Sequence, residues 1–323
     1  MSKNKKGVSV VIPSFNGAEL LEKYLPSVKS ALVHAALDYE IIIVDDASTD
    51  NTISFIQNNY PGVKLLKNKS NRGFAETINK GIAIASKEIL LCLNNDIELP
   101  VNFFENQLQF FDREDTFGVM SVIKDINRVE TLEKRKVPKL TSWGIKIKDS
   151  ENVSSGNEPY TFYVCGGNGL FDTKKVQLLG GFSRLYKPFY FEDVDLSVRA
   201  WIMGWKSYYC EDAECYHMHS ATIASTNKQF YIDKISYRNN FKFLYLFLPA
   251  SNRRKLLNIV YLRLMLYSVI GIFSATKKNR CESLKMFLRE LKSVSDERII
   301  FNRLCEERNL QQTSVLDVVK EYF

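Results

Sequence analysis

The 323-residue chain is long enough to form one large domain or two small ones with a proper hydrophobic core. Its composition, 45% apolar and 25% charged residues, is typical of a globular protein and excludes a disordered or low-complexity chain. The six cysteines are too few for a disulfide scaffold and lie at no zinc-binding spacing, so we expect reduced thiols.

The net charge of +7 is unevenly distributed along the chain. Residues 227–323 hold 18 Lys and Arg against 9 Asp and Glu, whereas the other 226 residues hold 26 against 28. Between Lys228 and Arg280 there are eleven basic side chains and one acidic one, Asp233, among many large apolar residues. This mixture favours contact with an anionic surface.

The chain carries no sign of export or of a membrane span. The apolar run at residues 8–13 is too short for the core of a signal peptide. No uncharged stretch exceeds 13 residues, and the one in the basic region, residues 264–276, is shorter than the roughly 20 residues needed to cross the hydrocarbon layer. We therefore expect a cytoplasmic protein without a transmembrane helix.

The first hundred residues alternate between strand and helix patterns. Apolar runs at residues 8–13 and 40–45 predict strands covered on both faces, and apolar residues at helical spacing from Leu20 to Leu32 predict the helix between them. A helix after Asp50, a strand at 63–66, a helix at 73–86 and a strand at 88–93 follow. This alternation predicts an α/β fold with a mostly parallel central sheet flanked by helices.

The pattern weakens between residues 117 and 163, where the charged stretch 130–139 indicates a loop or flap. A short strand at 170–171, a helix at 173–179 and a helix that begins near Asp193 come next. From residue 227 the composition changes to basic, aromatic helices.

Polar residues end the predicted strands, which is where open α/β sheets bind ligands. Asp45 and Asp46 follow the second strand and could accept hydrogen bonds from a base or a ribose. The alternative, that Ser48 or Asp50 caps the next helix and the other acids are solvated, is less favoured, because two adjacent carboxylates stand directly at the ligand-binding edge of the sheet. Asn94, Asn95 and Asp96 follow the fourth strand. They could form a turn, or Asp96 could help to hold Mg²⁺ or Mn²⁺ on a diphosphate.

Three further groups have both a structural and a functional interpretation. Arg72 could approach a phosphate or lie in a surface loop. Acids at the start of the helix near Asp193 could complement the helix dipole, or one could act as a general base. His217 and His219 would share one face of a strand, and the pattern does not decide between a structural and a ligand role.

Taken together, these segments resemble a family 2 glycosyltransferase with the GT-A fold, over about residues 8–225. The segments that carry the resemblance, in chain order, are VVIPSFN at 10–16, VDDASTD at 44–50, NRGFA at 71–75 with Asn79 and Gly81, LNND at 93–96, GGF at 180–182, FEDVDLSVR at 191–199, and Tyr216 and His217 with Thr222.

The resemblance implies roles for particular residues. The residues expected to bind the nucleotide-sugar donor are Pro13, Asn16, Asp45, Asp46, Arg72 and Asn95, with Asp46 at the base and Arg72 along the diphosphate. Asp96 would be the main protein ligand of a divalent metal, Mn²⁺ or Mg²⁺, with His217 rather than His219 as the second ligand. Asn94 stands where the family places another acid. Asp193 would be the catalytic base, and Glu192 and Asp195 would support it or contact the acceptor.

The resemblance also implies a domain organisation. Residues 1–226 would form the catalytic domain, with a nucleotide-sugar half at about 8–123 and an acceptor half at about 124–226. Residues 227–323 would form a helical, basic C-terminal region. That region either packs on the catalytic domain or contacts an anionic membrane at the inner face of the cell membrane, and its composition favours the membrane.

The expected function is that of an inverting, metal-dependent glycosyltransferase in surface polysaccharide synthesis. It would move a hexose or deoxyhexose from a UDP- or dTDP-sugar to a hydroxyl of a glycan or lipid-linked glycan. The alternative is a non-catalytic accessory subunit that binds a nucleotide sugar, which the asparagine at position 94 suggests. No nucleic-acid-binding motif accompanies the basic tail, so we expect no nucleic acid partner.

Overall fold

The computed structural model describes residues 6–142, 144–150, 158–218, 226–310 and 313–323. The chain divides into two units, and each is formed by several segments. Unit 1 comprises residues 1–137, 149–183 and 196–219, and unit 2 comprises residues 138–148, 184–195 and 220–323.

Unit 1 is built on a twisted, mixed sheet. Nine strands of the described chain form it: β1 (Val8–Ser14), β2 (Tyr39–Asp45), β3 (Lys64–Lys67), β4 (Ile89–Cys92), β5 (Ile97–Glu98), β6 (Thr116–Asp125), β7 (Thr131–Glu133), β10 (Leu170–Asp172) and β11 (Lys206–His217). Their order is β3-β2-β1-β4-β10-β6-β11-β5, with β7 paired to β6. The pairs among β1 to β4 are parallel, as are β6 and β11, whereas β10 is antiparallel to both of its neighbours.

Helices flank this sheet. They are α1 (Ala18–His34), α2 (Thr52–Asn59), α3 (Phe74–Ile82) and α4 (Thr173–Leu178). Val10 and Ile12 of β1 share a buried cluster with Leu21 and Leu25 of α1, because residues two apart on a strand and four apart on a helix face the same way. The predicted α/β class with a mostly parallel core is confirmed.

Helix α3 packs closely against the first two strands at Gly81. A Cβ atom at this position would lie 2.4 Å from Cγ1 of Val11 and 3.0 Å from Cγ2 of Val44. Any larger residue would therefore push α3 away from β1 and β2. Packing alone therefore accounts for the glycine at position 81 of the motif.

The loop or flap predicted for the charged stretch 130–139 is wrong, because strands occupy most of it, and the wider region of weak pattern, 117–163, contains further strands. Strand β6 runs through the middle of the sheet, β7 follows it, and β8 (Lys136–Thr141) pairs with β9 (Gly144–Asp149). Strand β6 is buried along most of its length, but Gly118 and Ser121 interrupt its apolar residues, so the sequence pattern does not predict it. Its partners β10 and β11 come far later in the chain, so local sequence carries little of its stability.

Unit 2 is mainly helical, in agreement with the predicted C-terminal helices. Helix α5 (Glu192–Ile202) begins in this unit, followed by α6 (Thr226–Phe247), α7 (Ala250–Ile270), α8 (Ala275–Arg289), α9 (Leu291–Glu307) and α10 (Val315–Tyr322). Phe241 of α6 packs against Phe287 of α8, and Phe247 packs against Phe301 of α9. No helix in the described part of the chain combines the length and the apolarity required to cross a bilayer.

The Gly81 contact makes a testable prediction about stability. Gly81→Ala should lower the free energy of unfolding by about 1–3 kcal/mol. The added methyl group would overlap Val11, and the cost of this overlap exceeds the gain from the higher helix propensity of alanine. Chemical denaturation of the purified variants measures the change. Gly62→Ala is the matched control, since a Cβ there meets no atom within 4 Å. Equal stability of the two variants would contradict the packing argument.

Candidate active site

The loops that follow β1 and β2 are joined at the carboxyl edge of the sheet. The backbone N–H of Asn16 donates to Oγ of Ser48 over 2.8 Å, and the N–H of Thr49 donates to Oδ1 of Asn16 over 2.8 Å. Asn16 itself lies in the left-handed region, at φ 48°, which asparagine tolerates better than most residues. These bonds fix two loops that the sequence analysis assigned to nucleotide binding.

Asp45 and Asp46 are adjacent but have different surroundings. Oδ2 of Asp45 accepts from the N–H of Ser48 over 3.1 Å, whereas its buried Oδ1 accepts no hydrogen bond within the described residues. A buried carboxylate oxygen without a donor is unfavourable unless a ligand or a water supplies one. Asp45 therefore has one acceptor atom that the protein leaves unused.

The carboxylate of Asp46 holds the turn that begins α3. It accepts from Nδ2 of Asn68 and from the backbone N–H groups of Arg72 and Gly73, at 2.8 to 2.9 Å. Burial acts to raise the pKa of Asp46, but these hydrogen bonds outweigh it and hold the pKa below its ordinary value. Both oxygens are thus engaged by the protein, so the expected base recognition by Asp46 stays a prediction.

The turn that Asp46 holds presents Arg72. The side chain of Arg72 is exposed and makes no hydrogen bond or ion pair with any described residue. Gly73, at φ 82°, lets the backbone reverse direction immediately before α3. An exposed guanidinium beside a helix N-terminus is suited to an anionic ligand such as a diphosphate.

Asp96 and His217 meet at the end of the sheet. Oδ2 of Asp96 lies 3.1 Å from Nε2 of His217, and each side chain is partly exposed. Antiparallel pairing of β5 with the end of β11 brings the two residues together. One carboxylate and one imidazole form a donor set that suits Mn²⁺ or Mg²⁺, so the residues fit the expected metal. Within the described residues, no three His, Cys, Asp or Glu side chains are placed to hold a metal ion together, so further ligands would come from water or a bound diphosphate.

In unit 2, three acids occupy the first turn of α5. Asp195 is fully buried and its Oδ2 accepts from the hydroxyl of Tyr186 over 2.8 Å, so it supports the local structure. Oδ1 of Asp193 accepts from the N–H of Val194 over 2.8 Å. Loss of solvent raises the pKa of Glu192 to about 8, and the negative charges of Asp193 and Asp195 add to the effect. Glu192 is therefore largely protonated near neutral pH.

The backbone that leads into this acidic turn is strained. Tyr190 and Phe191 both have positive φ angles, 70° and 83°, which are unfavourable for aromatic residues. Asn239 of α6 stabilises this conformation: its fully buried Nδ2 donates to the carbonyls of Tyr186, Phe189 and Tyr190 at 2.8 to 2.9 Å. Strain that is held in place by buried hydrogen bonds often marks a functional site.

Two basic neighbours of Asn239 hold the same segment. The guanidinium of Arg238 donates to the carbonyl of Lys187, and Nζ of Lys242 donates to the carbonyl of Leu185 over 2.6 Å. Both basic side chains are buried and pair with Glu290. We call Arg238, Asn239 and Lys242 the α6 clamp. None of the three was singled out from the sequence.

The expected site residues thus fall into two groups, one in each unit. In unit 1 lie Pro13 in β1, Asn16 after it, Asp45 and Asp46 at the end of β2, Arg72 before α3, Asn95 and Asp96 after β4, and His217 at the end of β11. In unit 2 lie Glu192, Asp193 and Asp195. His219 and Thr222 lie outside the described residues.

Some of the motif residues have purely structural contacts. Oδ1 of Asn79 accepts from the N–H of Phe182, and Nδ2 of Asn79 donates to the carbonyl of the same residue, each over 2.8 Å. Gly181 has φ 72°, and a Cβ there would lie 2.2 Å from Oδ1 of Asn79. Asn95 donates from Nδ2 to Oγ of Ser14 over 3.1 Å, so it joins the loop after β4 to β1.

Comparison with known proteins assigns the family. The family model described as glycosyl transferase family 2 matches residues 9–176, which is more than half of the chain. The chain belongs to glycosyltransferase family 2. The match covers the residues that are expected to bind the nucleotide-sugar donor, together with Asp96, and it ends before the acidic turn of α5.

Several named proteins are similar to this family 2 chain, which spans only part of the length of each. It is 33% identical over 96 residues to a dolichol-phosphate mannosyltransferase of Pyrococcus furiosus and spans 26% of that protein. It is 26% identical over 231 residues to a poly-β-1,6-N-acetyl-D-glucosamine synthase of Staphylococcus epidermidis, over 69% of this chain and 53% of that one. A putative glycosyltransferase, EpsE, of Bacillus subtilis is 24% identical over 213 residues, which are 64% of this chain and 70% of that one.

Solved structures share the GT-A fold. GalNAc-T7, crystallised with UDP, GalNAc and Mn²⁺, matches with a TM-score of 0.60 at 16% identity, over 90% of this chain and 57% of that one. A mannosyltransferase of Pyrobaculum calidifontis, in complex with GDP-Man and Mn²⁺, matches with a TM-score of 0.55 at 15% identity, over 99% of this chain and 85% of that one. The predicted fold family is confirmed.

The raised pKa of Glu192 predicts a pH dependence of stability. The folded protein holds this proton up to about pH 8 and the unfolded chain releases it near pH 4.5, so the free energy of unfolding should fall as pH rises between these values. Glu192→Gln should remove that part of the slope and should stabilise the protein more at pH 8 than at pH 5. Urea titrations at several pH values measure the effect.

The exposed Glu22→Gln in α1 is the matched control, and its pH profile should follow that of the wild type. A Glu192→Gln profile parallel to the wild type would contradict a raised pKa.

Proposed function

We propose that this chain is an inverting glycosyltransferase that moves a hexose or deoxyhexose from a nucleoside diphosphate to a hydroxyl of a glycan or lipid-linked glycan, in surface polysaccharide synthesis. The observation that carries the proposal is the polar carboxyl edge of the unit 1 sheet. There, Asn16 follows β1, Asp45 ends the neighbouring parallel strand β2, and Asp96 follows β4 beside His217. Such an edge is where open α/β sheets bind nucleotides.

The donor site is proposed to use the loops after β1 and β2 together with Arg72. Pro13 and Asn16 would line the nucleotide pocket. Asp46 would recognise the base, and the unused Oδ1 of Asp45 beside it would accept from a further N–H of the nucleotide. Asp46 would set the position of Arg72, whose guanidinium would lie along the diphosphate. The two similar structures contain UDP and GDP-Man, and we propose a UDP- or dTDP-sugar here.

Asp96 and His217 would hold a divalent metal, and both similar structures contain Mn²⁺. Such an ion, when bound, neutralises the charge that develops on the departing diphosphate. Asn94 leaves a single carboxylate in this triplet, so the protein supplies few of the ligands. Asn95, bonded to Ser14, would keep the loop in place next to the donor.

Asp193 is proposed to remove the proton from the acceptor hydroxyl as that oxygen attacks the anomeric carbon. The raised pKa of Glu192 supports this choice, because a carboxyl group that keeps its own proton near neutral pH cannot accept one from the acceptor hydroxyl. Asp195 is engaged with Tyr186 and supports the turn. Attack from the face opposite the leaving group in a single displacement inverts the anomeric centre.

Asp193→Asn tests this role. Loss of the proton acceptor should lower transfer by about 10²- to 10⁴-fold while the nucleotide sugar still raises the melting temperature. A thermal-shift screen of UDP- and dTDP-sugars with and without Mn²⁺ first identifies the donor, and release of the nucleoside diphosphate then measures turnover. Asp212→Asn, at an exposed position of β11, is the matched control.

Two outcomes would change the proposal. Full turnover by Asp193→Asn at saturating donor would remove Asp193 as the base. Donor binding by the wild type with neither transfer nor hydrolysis in Mn²⁺ would favour the alternative function, an accessory subunit that binds a nucleotide sugar.

We also propose that α7 contacts an anionic membrane, at the inner face of the cell membrane. Leu256, Val260 and Tyr267 form the buried side of this helix. The opposite side is apolar as well: Met265 is 72% exposed and Val269 is 65% exposed. A helix that is apolar on both sides needs a second apolar environment.

The charges around α7 favour lipid as that environment. From residue 234 to residue 281 the chain contains no Asp or Glu, whereas basic residues stand at both ends of the helix. They are Arg253, Arg254 and Lys255 at the start, and Lys277, Lys278 and Arg280 after the end. Basic residues on either side of an exposed apolar face attract anionic lipid headgroups. A lipid-linked acceptor would be presented at the same surface.

Vesicle sedimentation tests the membrane contact. The wild type should bind phosphatidylglycerol vesicles, less strongly at high salt, and should bind phosphatidylcholine vesicles weakly. The double variant Met265→Asp, Val269→Asp should lose roughly tenfold or more in affinity, because charged groups resist burial in the interface. Ile300→Asp on α9, 61% exposed in the wild type, is the control and should bind normally. No sedimentation of the wild type with either vesicle would leave the C-terminal helices with a packing role alone.

A further inference from the structure

Unit 2 contains a cavity of about 460 Å³ between α6 and α8, which we call the α6–α8 cavity. Phe191, the residue immediately before the acidic turn of α5, forms part of its wall. The size is within the range of cavities that bind small molecules. No step of the transfer proposed above has used this space.

The wall of the cavity has an unusual composition. Three aromatic rings line it, and the other lining residues are all polar or charged, so no aliphatic side chain is present among the described lining residues. The rings belong to Phe191, Phe230 and Tyr237. One acid, Asp233, and one base, Arg280, balance each other in charge.

Some of the polar side chains in the wall are already used to build it. Nδ2 of Asn279 donates to the carbonyl of Phe230 over 2.7 Å, and Oγ of Ser283 donates to the carbonyl of Lys234 over 2.9 Å. These bonds join α8 to α6. The hydroxyl of Tyr237 accepts from Nη1 of Arg263 over 3.0 Å, and the guanidinium of Arg280 lies over its ring, 5.4 Å from the centroid.

Ser236 and Asn240 differ from these residues. Both are half-buried on α6, line the cavity, and make no side-chain hydrogen bond with any described residue. A hydroxyl and a carboxamide together offer donors and acceptors in several directions. They are therefore available to a ligand.

We infer that the α6–α8 cavity binds a neutral sugar ring of the acceptor, an inference that rests on the proposed glycosyl transfer. A pyranose has an apolar C–H face that packs on aromatic rings and a rim of hydroxyls that bond to amides and hydroxyls. A lipid tail would require aliphatic walls, and a phosphate would require an excess of positive charge that Asp233 cancels.

The position of the cavity agrees with this assignment. Consecutive Cα atoms are 3.8 Å apart, so the Cα of Asp193 lies within about 8 Å of that of Phe191 in the cavity wall. A sugar held against Phe191 is therefore close to the acidic turn. The α6 clamp fixes the backbone of this wall through Asn239 and the carbonyl of Tyr190.

Saturation-transfer NMR on the full chain tests the cavity directly. The probes are the methyl glycosides of glucose, galactose, mannose, rhamnose and N-acetylglucosamine at millimolar concentration, without donor. The wild type should transfer saturation to at least one of them. Ser236→Trp, which fills the cavity, and Asn240→Ala, which removes a hydrogen-bonding group, should each reduce that signal several-fold.

Matched controls lie on α7, outside the cavity. Ser251→Trp and Asn258→Ala should leave the signal unchanged. Melting temperatures identify any variant that fails to fold, and Asn240→Ala, as a truncation at a half-buried site, decides the question if Ser236→Trp does not fold. No saturation transfer from the wild type to any glycoside, or signals in both cavity variants equal to that of the wild type, overturns the inference.

Kinetics separates this inference from the function on which it rests. In the transfer assay, Asn240→Ala should raise the KM for acceptor roughly tenfold and leave the nucleotide-sugar thermal shift unchanged. An unchanged KM with an active enzyme contradicts the cavity assignment alone. Absence of any nucleotide-sugar binding by the wild type contradicts the transferase itself.

Discussion

The amide of Asn239 is the constraint on which the arrangement of unit 2 depends. Its three bonds satisfy carbonyls of a backbone that would otherwise relax, since Tyr190 and Phe191 occupy a region that L-residues avoid. Without the amide, the carbonyls of Tyr186, Phe189 and Tyr190 would lose this donor, and the strained backbone would lose the bonds that hold it. Because Phe191 forms part of the cavity wall and Glu192 begins α5, one side chain of α6 positions both features.

Unit 1 uses a carboxylate for a comparable purpose. Asp46 stabilises the turn at Arg72 and Gly73 with both of its oxygens, while its neighbour Asp45 keeps one oxygen unsatisfied. Two adjacent acids of the same motif thus differ in what they can offer a ligand. The difference arises from the available donors, because Asn68 and Gly73 donate hydrogen bonds to the carboxylate of Asp46 and not to that of Asp45.

The elements that were predicted correctly are those whose residue pattern lies within the element itself. Strands β1 and β2 are continuous apolar runs and α1 has an apolar face of helical period, so these elements emerge from periodicity alone. The meeting of Asp96 with His217 was expected from the family resemblance, and the pairing of β5 with β11 produces it.

The elements that the prediction missed depend on distant partners. Strand β6 is stabilised by β10 and β11, which begin more than 50 and about 90 residues later, and the glycine and serine within it disguise its burial. Asn239 belongs to no motif, and the carbonyls that it binds lie 49 to 53 residues earlier in the chain. The raised pKa of Glu192 likewise depends on loss of solvent, which no residue pattern reports.

The two aromatic residues in left-handed conformation have a consequence for substitution at these positions. Glycine would adopt the same angles without strain, yet at position 191 it would remove a ring from the wall of the cavity. β-Branched residues would be still less tolerant of these angles. Few substitutions at position 191 therefore keep both the backbone conformation and the ring, and under the proposed function a change of this ring should alter which acceptor sugar the cavity takes.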